Sequence, residues 1–164
     1  MSTTHFYSVL LRNFPFSPTH KQDVFFQKIA EFCTNSNTNE IFVLKGYAGT
    51  GKTTVVSTIV NQLIEINKKY VLLAPTGRAA KVISNYSNKP AHTIHKKIYF
   101  PKKGKGGGLQ FTMQQNKHKK TLFIVDESSM ISDVSAESKM YENGSLLDDL
   151  ISYVYSGTNC KMIL

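Results

Sequence analysis

Residues 41–54 read IFVLKGYAGTGKTT, and they restrict the fold more than any other stretch of the chain. A short apolar run, Ile41 to Leu44, leads into Gly46-Tyr47-Ala48-Gly49-Thr50-Gly51-Lys52-Thr53. This is the G-x-x-x-x-G-K-T spacing of a phosphate-binding loop, the Walker A pattern, with a strand-like run before it and a helical pattern after it. Glycines let the backbone curl so that successive N–H groups point inward at phosphate oxygens. The helix that follows adds its free N–H groups and the positive end of its dipole. Gly46, Ala48, Gly49, Thr50, Gly51, Lys52 and Thr53 are therefore candidate nucleotide-binding residues. Lys52 is expected to reach the terminal phosphates, and the Thr53 hydroxyl to ligate Mg²⁺. ATP and Mg²⁺ are the implied cofactors.

An acidic partner belongs at the end of another core strand. Thr121 to Val125, TLFIV, is an apolar run that ends in Asp126-Glu127, a Walker B pattern. Asp126 is placed to hold Mg²⁺ through water, and Glu127 to act as general base toward an attacking water. Hydrolysis fits this pair better than phosphoryl transfer to a second substrate, because no acceptor-binding acid follows the second strand. Lys52, Asp126 and Glu127 form the candidate catalytic set.

Strand, helix and strand follow one another through this region. Val55, Val56, Ile59, Leu63, Ile64 and Ile66 predict a helix from about Thr53 to Asn67, and YVLLA at Tyr70–Ala74 predicts a buried parallel strand. The expected fold class is α/β, a parallel sheet flanked by helices with its ligand at the carboxyl ends of the strands. Residues 1–16 are read as an N-terminal arm lying against the domain, and residues 17–164 as the ATPase domain. Ser17-Pro18-Thr19 opens a helix whose apolar face carries Val24, Phe25, Ile29, Ala30 and Phe32. Thr76–Ser84 starts another helix, and residues 89–95 form a loop that runs into a short element. Lys102–Gly108 (KKGKGGG) with Gln114–Lys120 reads as a flexible insertion, with a short strand at Leu109–Met113 between them. Ser132–Ser145 is polar, Leu146–Tyr155 is helical, and KMIL at 161–164 is the beginning of a fourth core strand, cut short.

Composition bears on partners and compartment. Of 164 residues, 20 are Lys or Arg and 11 are Asp or Glu, for a net charge of +9. Such a balance suits a polyanionic partner such as nucleic acid. No run of about 18 apolar residues predicts a membrane span, and the N-terminus lacks signal-peptide character. Cys33 and Cys160 have no metal-ligand spacing and read as reduced, buried thiols. A cytoplasmic protein is expected. Thr76, Arg78, Lys81, Thr93, His95, Lys96 and Lys97 supply hydroxyl and basic groups near the carboxyl edge of the sheet. They read either as phosphodiester contacts or as helix caps and solvated charges.

In combination and in order, GYAGTGKTT, APTGRAAKVIS, AHTIHK and FIVDESSMI resemble the superfamily 1 DNA helicases of the RecD-like and Pif-like branch, across residues 18–131. The resemblance implies a RecA-like first motor domain, a P-loop NTPase that hydrolyses ATP to move 5′ to 3′ along single-stranded DNA. It assigns Gln22 to adenine recognition and adds Thr54 to the nucleotide loop. It places Thr76, Gly77, Arg78, Thr93 and His95 in stretches that meet the DNA strand. Such helicases continue into a Gly-Asp…Gln motif and a second RecA-like domain that brings arginine fingers, and Leu164 comes before either. The resemblance therefore implies a truncated motor, inactive as a helicase by itself, whose last strand leaves a sheet edge exposed. Two alternatives stand beside it: a non-catalytic nucleotide- or DNA-binding module, and another P-loop ATPase of the AAA type, which needs neither TGRAA nor TIH.

Overall fold

The computed structural model describes residues 2–37, 40–47, 49–103, 109–131 and 141–164. Along the chain run α1 (Thr3–Asn13), α2 (His20–Thr34), β1 (Ile41–Phe42), α3 (Lys52–Gln62), β2 (Lys69–Ala74), α4 (Gly77–Ser87), β3 (Ala91–Thr93), α5 (Ile94–Ile98), β4 (Tyr99–Lys103), β5 (Leu109–Met113), β6 (Thr121–Val125), α6 (Leu146–Tyr155) and β7 (Lys161–Ile163). Five strands form one sheet in the order β1-β7-β6-β2-β3, and every neighbouring pair is parallel. β4 and β5 form a separate antiparallel ribbon, with Tyr99 opposite Met113. The ribbon carries the basic insertion seen in the sequence; residues 104–108 lie outside the described residues.

Both faces of the sheet are covered, which is why its central strands β2 and β6 are mainly apolar, as VLLA and LFIV. β6 is buried at all five positions. Its Leu122 and Ile124 join a core with α1, α2 and α3, where Phe6, Leu10, Phe26 and Ile59 pack. Its Phe123 and Val125 face the other way, into a core with α5 and α6 that holds Ile94, Ile98, Leu150 and Val154. The alternation follows from the two-residue period of a strand.

Several sequence expectations change here. The segment read as an arm is a helix: Ser2 caps α1, and Phe6 and Leu10 are fully buried. The residue pattern was mixed because α1 buries only one narrow face. α2 begins at the Thr19 cap, so Pro18 precedes the helix, and Phe26 rather than Phe25 is the deeply buried ring. α3 ends at Gln62 and continues as a 3₁₀ turn, Leu63–Ile66. β1 is only Ile41–Phe42, although Leu44 N–H extends its ladder to the Leu164 carbonyl at 2.7 Å. Residues 91–93, read as loop, are the edge strand β3, paired to β2 with Ala74 beside Thr93.

The largest correction concerns β7. Lys161–Ile163 has a strand on each side, β1 and β6, so it lies inside the sheet and the edges are β1 and β3. Lys161 is buried and caps the end of α2. Its ammonium donates to the Phe32 carbonyl at 2.7 Å and to the Asn35 carbonyl at 3.2 Å, and it also donates to the Asn35 side-chain oxygen. A cation at a helix carboxyl end meets the negative end of the dipole, and the hydrogen bonds offset its desolvation.

Candidate nucleotide-binding site

The site is built at the carboxyl edge of the sheet, where β1, β6 and β7 end and α3 begins. Register puts its parts together. Leu73 of β2 lies beside Val125 of β6, and the Asp126 N–H continues that ladder to the Leu73 carbonyl at 2.9 Å. Asp126 thus leaves the sheet beside the loop that enters α3. A cleft of about 470 Å³ opens there, with Gly46, Lys52, Asp126, Glu127, Ser128 and Ser129 in its walls.

The loop itself is closed around Lys52. Its ammonium donates to the Gly46 carbonyl at 2.6 Å and to the Tyr47 carbonyl at 2.8 Å. The Thr50 hydroxyl donates to the same Tyr47 carbonyl at 2.7 Å. A Cβ at Gly46 would come within 2.8 Å of the Thr50 hydroxyl oxygen, so a larger residue there would displace the Thr50 side chain. Gly51 has φ +81°, a left-handed conformation that glycine adopts without strain, and it is the N-cap of α3. Having no side chain, Gly51 gives the helix no oxygen cap. Every other α-helix among the described residues has one, from Ser2, Thr19, Thr76, Thr93 or Ser145. The first N–H groups of α3 therefore remain open to an anion.

Gln22 is the third residue of α2 and is fixed from two sides. Its carbonyl oxygen accepts from the Thr19 N–H at 2.9 Å, closing a capping box. Its amide donates to the Thr50 carbonyl at 3.3 Å, tying α2 to the phosphate loop. Gly49 has φ +77°. Thr53 and Thr54 lie half-buried in the first turn of α3. Ala48 lies outside the described residues.

Asp126 is half-buried, and its carboxyl pKa is raised. Burial is the main cause; the neighbouring Glu127 charge adds to it, while the Glu127 backbone and the Lys52 ammonium oppose it. Lys52 and Asp126 line the same cleft. Glu127 is exposed, with φ +54°, and its carbonyl accepts from the Met130 N–H at 3.0 Å in a 3₁₀ turn. A non-glycine residue in this region costs about 1–3 kcal/mol. The turn directs the chain away from the strand immediately after Asp126. A hydroxyl on Thr53 and a carboxylate on Asp126 are hard oxygen donors of the kind Mg²⁺ takes together with substrate phosphates. Among the described residues no cluster of three or more His, Cys, Asp or Glu could hold a metal by itself.

The other predicted residues sit on the same edge. The Thr76 hydroxyl accepts from the Ala79 N–H at 3.2 Å and caps α4. Gly77 is the first residue of that helix, and Arg78 is exposed in its first turn. The Thr93 hydroxyl accepts from the Lys96 N–H at 3.3 Å and caps α5. His95 packs its ring beside Tyr99 and Tyr141, and its Nε2 lies 3.3 Å from the Tyr141 hydroxyl. The capping role and a phosphate contact are compatible, because an accepting hydroxyl still has a proton to donate. Sequence reasoning missed Lys45, Ser128 and Ser129 as cleft residues. Their only signal was adjacency to Gly46 and Asp126.

Among the described residues no helix is long and apolar enough to cross a membrane. Cys33 and Cys160 are both buried and unbridged.

A family model described as an AAA domain matches residues 29–142. An uncharacterised protein of Methanocaldococcus jannaschii is 34% identical over 141 residues, covering 76% of this chain and 11% of the relative. The ATP-dependent DNA helicase dda of Enterobacteria phage T4 is 45% identical over 53 residues, 32% of this chain and 12% of the relative. The ATP-dependent RecD2 DNA helicase of Deinococcus radiodurans is 30% identical over 96 residues, 58% of this chain and 13% of the relative. The chain spans only 11–13% of the length of these proteins. The matched region contains both TGRAA and TIH.

Proposed function

This chain belongs to the AAA domain family, and from that premise we propose that it is the ATP-binding and ATP-hydrolysing motor half of a DNA helicase. The observation that carries the proposal is one cleft that holds Lys52 and Asp126 together beside an uncapped helix N-terminus. The names of the dda and RecD2 relatives support the helicase part.

In this reading the α3 N–H groups and Lys52 bind the β- and γ-phosphates. Thr53 and Asp126 hold Mg²⁺, which supplies charge neutralisation at the phosphates when bound. Glu127, exposed at the mouth of the cleft, takes the proton of the attacking water. Gln22, already fixed against Thr50, presents its amide to the adenine edge. Thr76, Arg78, Thr93 and His95 face the strand along which the motor moves, 5′ to 3′. The only arginines of the sequence are Arg12 and Arg78, and neither lines the cleft. An arginine contributes about 10³–10⁵ to turnover in such sites. We therefore assign that group to a second motor domain facing the cleft, and expect residues 1–164 alone to bind nucleotide but turn it over slowly.

Titration of the chain with a fluorescent ATP analogue and Mg²⁺ tests the site. Binding is expected for the unaltered chain and for Glu127→Gln, with loss of at least about 100-fold in affinity for Lys52→Ala, the scale of two charge-assisted contacts. Unchanged affinity in Lys52→Ala would remove the site assignment. Turnover at motor rates by residues 1–164, stimulated by single-stranded DNA, would remove the need for a second domain.

A further inference from the structure

Parallel strands have two ends, and the proposed motor site uses only the carboxyl edge. The amino edge carries a second concave surface. A cleft of about 520 Å³ lies there between the end of α3, the 3₁₀ turn and the starts of β2 and β3. Val60, Ile64 and Tyr70 form its apolar wall, and Lys68, Lys69 and Lys89 surround it. The Lys69 N–H donates to the Lys120 carbonyl at 3.2 Å, which brings Lys119 and Lys120 alongside. Lys119 in turn bridges to Thr158 at the approach to β7.

Five lysines thus lie at the starts of three neighbouring strands. Adjacent strands are about 4.8 Å apart, so three neighbouring strand starts set these lysines in a row about 10 Å long. Lys69, Lys119 and Lys120 are exposed. None of the five has a carboxylate partner among the described residues. Burial first, then the charges of Lys97 and Lys69, hold the nearby His118 imidazole below its usual pKa. Glu65, on the 3₁₀ turn, is the acid nearest in sequence and does not line the cleft.

We propose that this amino-edge cleft binds the phosphodiester backbone of single-stranded nucleic acid, at a site separate from the motor track and independent of ATP. Lysines bind the phosphates, while Tyr70 and the exposed Ile64 offer apolar surface to a base. Aromatic and cationic groups side by side are how sequence-tolerant single-strand sites are built. An anionic membrane is the weaker fit. Lys68, Lys69 and Lys89 line a concavity, whereas a membrane-docking face presents its apolar residues outward on a flat or convex surface. The inference does not rest on the motor reading, because no residue of the ATP cleft takes part.

The test uses the full chain carrying Lys52→Ala, without nucleotide, and a fluorescein-labelled oligothymidylate followed by anisotropy across a salt series. Lys69→Glu, Lys119→Glu and Lys120→Glu are combined in one variant. Lys68 is left intact because burial already lowers its pKa and a change there risks the fold. The expected result is an affinity loss of at least about tenfold at low salt. The slope of log affinity against log salt falls by about 2, since each phosphate contact with a single strand contributes about 0.7. If the Glu variant fails to fold, as judged by circular dichroism and melting, the corresponding triple Gln variant decides by the same slope. Arg78→Glu, measured in parallel, reports on the motor track and is expected to weaken binding additively. Unchanged affinity and slope in the folded triple variants overturns the inference even if Arg78→Glu has its effect. Absence of oligonucleotide binding also overturns it, as does binding to phosphatidylserine vesicles in its place.

Discussion

The Lys52 ammonium is held by the backbone of its own loop. Its bonds to the Gly46 and Tyr47 carbonyls are short, but their acceptors are neutral. A phosphate oxygen carries charge, and charge-assisted bonds are about twice as strong. A phosphate oxygen presented to the loop would therefore compete with those carbonyls for the Lys52 ammonium. Cys33 shows the opposite condition, a titratable group that burial keeps neutral. It is fully buried, and burial pushes its thiol from 9.0 up to about 12, with Lys68 and Lys161 opposing. The folded state thus holds this proton more tightly than the unfolded state. Its contribution is complete below pH 9.0 and is lost as pH rises toward about 12, by about 1.4 kcal/mol per pH unit. Burial lowers the Lys68 and Lys161 ammonium pKa values. Those groups act with the opposite sign, adding stability as pH rises toward their unfolded value. Urea unfolding at a series of alkaline pH values checks the thiol term. In Cys33→Ala the fall in stability with pH is expected to be shallower by about 1.4 kcal/mol per unit over that window, and an unchanged slope would contradict it.

At the scale of elements, two pieces outside the sheet hold the domain together. α1 packs on α2 and α3, and Phe6 and Leu10 are its fully buried residues. Phe6→Ala is expected to cost about 3–5 kcal/mol, measured by urea unfolding. A loss below 1 kcal/mol would mean that the burial of Phe6 contributes little to the stability of the domain. The second piece is the polar junction between the ribbon and α6. Asp149 is completely buried and accepts from the Tyr99 hydroxyl at 2.6 Å, from the Glu142 N–H at 3.1 Å and from the Asn143 N–H at 2.7 Å. Burial first, then this bond to Asp149, raises the Tyr99 phenol pKa. Asp149→Ala removes the acceptor from four donors at once, since the Asn143 side-chain amide also donates to it at 2.7 Å, at about 1–3 kcal/mol for each buried group left unpaired. A total loss above about 3 kcal/mol is expected, with faster amide exchange at residues 142 and 143. Unchanged exchange there would show that the loop is held by other contacts.

For the whole molecule, the nucleotide cleft joins elements that are far apart in the chain, so occupancy and folding are linked. A ligand at 100 times its dissociation constant stabilises the folded state by about 2.7 kcal/mol. For a domain of this size that raises the melting temperature by about 5–10 °C. Mg-ATP is expected to produce such a shift in the unaltered chain and none in Lys52→Ala, as read by differential scanning fluorimetry. A shift of equal size in both would place the nucleotide elsewhere. The amino-edge cleft lies at the other end of the same strands, so a polyanion bound there adds to the melting temperature without competing with ATP.

The parts legible in the sequence are those set by local chemistry. The glycine spacing of 46–51, the apolar runs YVLLA and TLFIV, and the acid pair that follows the second run identify a parallel α/β sheet with a phosphate loop. α6 also matches its expected bounds, Leu146–Tyr155, because an amphipathic helix needs only its own residues to show its period. What only the tertiary structure decided depends on partners distant in the chain. KMIL becomes an interior strand because the Leu164 N–H finds the Phe42 carbonyl at 2.9 Å and Lys161 pairs beside Leu122. Ala91–Thr93 becomes a strand because β2 offers it an open edge. Lys161 and Asp149 look like surface charges in the sequence and are buried in the fold, one among carbonyls and the other among N–H and O–H donors. Parallel pairing and buried charge satisfaction join residues that no local pattern connects, so they emerge only once the chain has packed.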